Sequence, residues 1–179
     1  MLVEGLSDKR AVEALARRRG RKLEAEGVAV MAIGGSKGIW RFLERFGPHG
    51  LDLRLAGLCD AAEEGDFKRG LQRAGLVASL SRADMERLGF YVCVADLEDE
   101  LIRALGAAAV ERVIDAQGEL ESFRSLQRQP AWRGRPTHEQ LRRFFGTHKG
   151  RKVQSAPFLV EALDLDHVPR PLDGVLAHV

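Results

Sequence analysis

Four short apolar runs constrain this chain most, because each ends in an acid or a glycine pair where the backbone must turn. Leu2-Val3 gives way to Glu4-Gly5, and Val28-Ala29-Val30-Met31-Ala32-Ile33 to Gly34-Gly35. Leu53 to Leu58 ends at Cys59-Asp60, and Phe90 to Val94 ends at Asp96. After the first run Val12, Leu15 and Ala16 recur at helical spacing, with Ser7 or Asp8 as the cap. Gly38 to Phe46 reads as a second helix, and the polar stretch Asp66 to Leu88 contains helix as well. The order β-α-β-α-β-(α)-β-α predicts an α/β fold, a mainly parallel sheet flanked by helices. From Ala107 the pattern is helical, with breaks at Gly118, at Pro130 to Pro136 and at Gly146 to Gly150. The reading is a core over residues 1–105 and a helical, basic C-terminal extension over 106–179 packed on it. The first run is short beside the five or six residues, roughly, of an ordinary strand.

At 179 residues, 45% apolar and 30% charged, the chain suits one globular unit with an ordinary core. No run approaches the roughly 18 apolar residues of a membrane span, and the start lacks a basic-then-apolar signal, so a cytoplasmic location is expected. Cys59 and Cys93 sit inside apolar runs without metal-type spacing and read as buried, reduced thiols. The five histidines form no zinc pattern, and no G-x-S-x-G elbow surrounds a serine.

A net charge of +2 conceals a segregation of charge. Arg124 to Lys152 holds nine Lys/Arg against the single acid Glu139, whereas Asp60 to Asp66 and Asp96 to Glu100 hold four carboxylates each. In open parallel sheets the functional crevice lies beyond the carboxyl ends of the strands. Glu4, Asp60 and Asp96 all fall there, with Glu98 and Glu100 just beyond. One acid after one strand is ordinarily a helix cap, and Asp8 fits that description. Three coincident strand ends are better explained by a cation that offsets their mutual repulsion, and an oxygen-only donor set suits Mg²⁺ or Mn²⁺. Glu63, Glu64, Asp66 and Asp99 read as solvent-facing.

Leu2-Val3-Glu4-Gly5-Leu6-Ser7-Asp8 resembles the L-V-E-G-x-S-[DE] opening of TOPRIM domains, in the version found in OLD (overcoming lysogenization defect) family nucleases. Gly34-Gly35 before a helix, a strand ending in Asp60, and Asp96-Leu97-Glu98-Asp99-Glu100-Leu101 are similar to later elements of that family, over about residues 2–105. The resemblance implies a Rossmann-like sheet that binds one or two metal ions and cleaves DNA, with Glu4, Asp8, Asp60 and Glu98 as ligands. Asp96 and Glu100 complete the candidate metal set. A departure stands at the family's D-x-D element, where Ala62 replaces the second aspartate. Glu63 or Glu64 could then reach in from the following turn, or one metal binds weakly. The resemblance also implies a lysine late in the domain, which Lys149 or Lys152 supplies; Lys152 is preferred, as a catalytic residue beside Glu4.

Arg124, Arg128, Arg133, Arg135, Arg142, Arg143, Lys149 and Arg151 are the candidate nucleic-acid contacts, while Phe123, Trp132, Phe144 and Phe145 among them read as core. The run Arg17, Arg18, Arg19, Arg21, Lys22 reads as an exposed helix end. Gly34-Gly35-Ser36-Lys37-Gly38 follows a strand and opens a helix, but it fails the spacing of a Walker loop. OLD proteins join an ATPase to this domain, so either the domain works alone or an ATPase acts from a separate chain. Beside DNA cleavage stand a nucleic-acid-binding module with weak or lost catalysis, a TOPRIM ribonuclease or primase-like phosphotransferase, and a small-phosphate hydrolase.

Overall fold

A computed structural model describes residues 1–76, 81–148 and 150–179. Strands β1 (Leu2–Val3), β2 (Met31–Ala32), β3 (Gly57–Cys59) and β4 (Phe90–Val92) form one parallel sheet in the order β2-β1-β3-β4. Helices α1 (Leu6–Arg18), α2 (Ile39–Phe46), α3 (Glu64–Arg73) and α4 (Arg82–Arg87) alternate with the strands. Six more follow: α5 (Leu97–Leu105), α6 (Ala107–Ala116), α7 (Leu120–Arg128), α8 (Thr137–Thr147), α9 (Arg151–Ala162) and α10 (Arg170–Ala177).

Strand alternation divides the core in two. Leu2, Cys59 and Phe90 face Ile39 and Leu43 of α2, Phe67 and Leu71 of α3, and Met85 of α4. Val3, Leu58 and Cys93 face the opposite way, into a larger cluster built from α1, α5 and the C-terminal helices. That cluster joins residues on both sides of position 105 without a break. Phe123, Phe144 and Phe145 lie within it, fully buried. Burial pushes both free thiols, Cys59 and Cys93, above the usual cysteine range, which keeps them protonated.

The strands are shorter than the apolar runs that announced them, for local reasons. β1 offers only two residues to pair, so the run at 28–33 enters the ladder only at Met31 and Ala32. Leu53 belongs to the loop after α2, its amide donating to Phe46 and half of its side chain in solvent. β4 stops before Val94 because the Glu100 carboxylate takes the Val94 N–H at 2.7 Å. The start of α1 also differs from expectation. Gly5 is the N-cap, and Asp8 reaches back from the first turn to accept the Gly5 N–H at 2.8 Å.

The basic run after α1 is not simply an exposed end. Arg18 donates to the carbonyls of Val160 and Leu163, at 2.9 and 2.6 Å, closing the C-terminus of α9. Arg21 does the same at α10, donating to the carbonyl of Leu176 in its last turn and to that of Val179 beyond it. These bonds lash α9 along α1. No helix among the described residues is long and apolar enough to cross a membrane.

Gly57 is where the sheet tolerates no side chain. A Cβ there would meet the Phe90 ring at 2.5 Å and the Leu2 carbonyl at 3.1 Å. Gly57→Ala is expected to lower unfolding free energy by about 1–3 kcal/mol through overpacking. Urea denaturation measures it, and an unchanged midpoint would contradict this account of the packing between β3 and β4.

Candidate active site

The chain leaves β1 for β2 on one side and later returns to β3 on the other. A crevice opens beyond the strand ends where connections diverge in this way. Glu4 and Asp60 stand there, each one residue past its strand. Gly34 and Gly35, both with positive φ, fold the exit of β2 over the same edge and donate their N–H groups to the Glu4 carbonyl at 3.1 and 3.3 Å. Helices α1 and α5 start at this edge and bring Asp8 and Glu98, 8% and 5% exposed, from their first turns.

These four acids feel one another. Burial first, and then Asp8, Glu4, Asp96 and Glu98, push the Asp60 carboxyl up to about 8. Asp8 is raised to about 7, by burial first and then by Glu98 and Glu4, against the opposing Gly5 amide. Glu4 is raised by burial and by Glu63, with the Asp60 amide and Lys152 pulling the other way. Among the described residues Lys152 is the one cation paired with them, its Nζ 2.9 Å from Glu98 Oε2. Burial alone would lower its ammonium, yet Glu98, Asp96 and Asp60 hold it above the ordinary lysine value. Two like charges about 4 Å apart repel by about 4 kcal/mol at the effective dielectric of a protein surface, so one lysine does not offset four carboxylates.

Two carboxylate oxygens, Glu4 Oε2 and Glu98 Oε1, are buried with no hydrogen-bond partner among the described residues. Orphaned acceptors of this kind are costly and call for a donor or a cation. The donor set is all oxygen, the chemistry of a hard divalent ion, so the residues fit a metal. As the side chains stand, no three His, Cys, Asp or Glu among the described residues close into a ligand group. An ion held here would need these side chains to adjust, since Glu98 is paired with Lys152 as they stand.

The structure sorts the remaining acids. Asp96 caps α5, accepting the Asp99 N–H at 2.8 Å, and pairs with Arg142 at 2.6 Å. It lies at the rim of the group, coupled to Asp60. Glu100 is held instead by the Val94 amide and by Arg103 at 2.7 Å. Asp99 is buried rather than solvent-facing, between Arg103 at 2.8 Å and His138 at 2.7 Å. Glu64 is committed to Lys68 and Arg82. Glu63, on the short Ala61–Glu63 turn, is the acid that bears most on Glu4. Of the two acids that the sequence offered from this turn, Glu63 or Glu64, it is Glu63 that bears on Glu4, Glu64 being paired elsewhere.

The basic segment is sorted as well. Arg151 is 7% exposed, and its guanidinium lies 3.9 Å over the Phe144 ring, donates to the Phe144 carbonyl and pairs with Glu119 at 2.6 Å. It is an internal clamp between α8 and α9, its guanidinium engaged within the chain. The same clamp seats its neighbour Lys152 at the site. Arg124 is paired with Glu111, Arg135 with Glu139 and Arg142 with Asp96. Arg128, Arg133 and Arg143 have no carboxylate partner among the described residues, and Arg143 lies 5.7 Å from the Trp132 ring. Lys149 lies outside the described residues.

Residues 1–61 match the family described as overcoming lysogenization defect protein-like, TOPRIM domain. The C-terminal region of the Xanthomonas campestris pv. campestris OLD protein superposes with a TM-score of 0.75 at 22% identity, over 99% of this chain and 89% of that one. For the C-terminal region of the Burkholderia pseudomallei OLD protein the TM-score is 0.74 at 20% identity, over 99% and 94%. No curated protein matches the chain in sequence. The chain thus has the fold of the OLD protein C-terminal region, and its first 61 residues carry the OLD-like TOPRIM signature.

Proposed function

We propose that this chain is a divalent-metal-dependent nuclease that cleaves DNA phosphodiester bonds at the edge formed by β1 and β3. The orphaned oxygens of Glu4 and Glu98, set beside Asp8 and Asp60, carry the reading. The OLD-like TOPRIM match supports a metal-dependent module acting on nucleic acid, of nuclease or primase type. Glu4, Asp8, Asp60 and Glu98 would hold Mg²⁺ or Mn²⁺, one ion or two, with Glu63 in place of the absent second aspartate and Asp96 at the rim. A bound ion supplies a polarised phosphoryl group and a water of lowered pKa.

The chain's own groups do the rest. Lys152, charged and released from Glu98, holds a non-bridging oxygen of the scissile phosphate and offsets the charge that develops on it. Glu4, raised above the ordinary carboxyl range by burial, is suited to take the proton of the attacking water on its carboxylate. Arg128, Arg133 and Arg143 contact the flanking backbone. An ATPase on a separate chain belongs to the same proposal. Ala62 favours one second reading, a nucleic-acid-binding module whose catalysis is weak or lost. Calorimetric titration with Mn²⁺ separates the two: stoichiometric binding that Asp60→Ala removes argues against lost catalysis.

With supercoiled plasmid and Mn²⁺, Lys152→Ala is expected to nick about 10²–10³-fold more slowly, the cost of removing one charge-stabilising donor. Glu4→Gln is expected to be slower still. Equal nicking by Glu4→Gln and the parent would remove the proposal.

Stability is expected to depend on pH with a definite sign. Asp8 and Asp60 keep their protons in the folded chain up to about 7 and 8, whereas in the unfolded chain they ionise at ordinary carboxyl values. Between those limits the folded state binds more protons, so stability falls as pH rises. Metal-free protein should lose thermal stability from about pH 5 to about pH 8, and Mn²⁺ should restore more at the higher pH. A melting temperature that rises over this range, or no smaller fall in Asp8→Asn, would contradict the assignment of strained acids.

A further inference from the structure

The cleft between α2 and α3 was not among the sequence's candidate nucleic-acid contacts, yet it holds cations that no internal acid consumes. It measures about 430 Å³ and is lined by Ser36, Lys37, Trp40, Asp66, Arg69 and Arg73. Gly70 lets the two helices approach, since a Cβ there would stand 3.0 Å from Ile39 and 3.1 Å from Leu43. The loop at its head, Gly34 to Gly38, hangs from the Glu4 carbonyl by its glycine amides and is tied to α3 by Ser36 Oγ donating to Asp66 at 2.7 Å. One end of the cleft is therefore joined to the edge that carries Glu4.

Charge sets this cleft apart. Arg69 is paired with Asp66. Lys37, Arg41 and Arg73 are exposed and have no carboxylate partner among the described residues. The Arg73 guanidinium lies 4.4 Å over the Trp40 ring, and that of Arg41 is 5.5 Å from it. Stacking on an aromatic face orders a guanidinium while leaving its hydrogen-bonding edge open, which is the edge that grips a phosphate. Another cationic cleft, of about 500 Å³, offers no such surplus: its Arg82, Arg103 and Arg170 are paired with Glu64, with Asp99 and Glu100, and with Glu86.

We propose that the α2–α3 cleft is a phosphodiester-binding subsite that holds a single strand of the DNA substrate beyond the cleavage edge. Arg73 and Lys37 contact successive phosphates, and the partly exposed Trp40 orders Arg73 and stacks a base at its open edge. The subsite rests on the nucleic-acid reading above and extends it to a strand path that the C-terminal segment does not supply.

Anisotropy of a fluorescein-labelled single-stranded oligodeoxynucleotide, titrated with the full chain in EDTA, reads binding without cleavage. The double variant Lys37→Glu/Arg73→Glu is expected to bind about tenfold more weakly or worse, with a shallower salt dependence. Arg73→Lys, which keeps charge but loses the fork and the stack, should fall between the two, and Lys37→Glu alone, at an exposed position, should weaken binding less than the double variant. Circular dichroism confirms that the variants fold. Affinity and salt slope equal to the parent in folded variants would overturn the subsite, as would a parent that binds no oligonucleotide. The two proposals fail separately. A parent that nicks plasmid while the variants bind unchanged refutes the subsite alone, and a parent that binds through Arg73 but never nicks refutes the nuclease alone.

Discussion

Carboxylates crowded and half-buried at one edge of the sheet set the terms for the rest of this structure. Glu4 and Asp60 cannot retreat from one another, because each follows directly on a strand whose ladder fixes its place. Asp8 and Glu98 are fixed almost as firmly, by the first turns of helices that pack on the same sheet. The repulsion that results is visible in the raised acids and in two oxygens without partners. A fold that relaxed these contacts would be more stable. That the backbone holds the acids together is what a site made to receive a cation requires.

The C-terminal helices serve that edge. Arg18 draws α9 against α1 by its terminal carbonyls, and Arg151 clamps the turn between α8 and α9 on the Phe144 ring. Between these fixings Lys152 is delivered to Glu98 from 54 residues away in sequence. The helical extension therefore completes the larger core and supplies, among the described residues, the one cation paired with Glu4, Asp8, Asp60 or Glu98.

Fold class was legible because strand period, helix period and turn residues agree along most of the chain. Glu4 and Asp60 were legible for the same reason, being the residues that end apolar runs. What sequence did not reveal is how charges pair across long separations. Nine cations in Arg124 to Lys152 look like a binding face, yet Arg124, Arg135, Arg142, Arg151 and Lys152 each meet an acid of this chain. Conversely Lys37 was noticed only in a loop that fails the Walker spacing, and Arg41 and Arg73 not at all, yet folding leaves all three without acidic partners among the described residues. Glu100 fits the acidic motif but is spent on ending β4, while Glu63 fits no motif and bears on Glu4. Local spacing places a residue on an element; only packing of one element on another decides which neighbour it serves.

The most direct test is a crystal structure of the chain soaked in Mn²⁺, with anomalous scattering to locate the ions. The account predicts one or two peaks at the β1–β3 edge, bound by oxygens of Glu4, Asp60 and Glu98 with Asp8 or Glu63 completing the set, and Lys152 withdrawn from Glu98 Oε2. An edge that stays free of manganese at saturating concentration, with the Lys152–Glu98 pair intact, would contradict it.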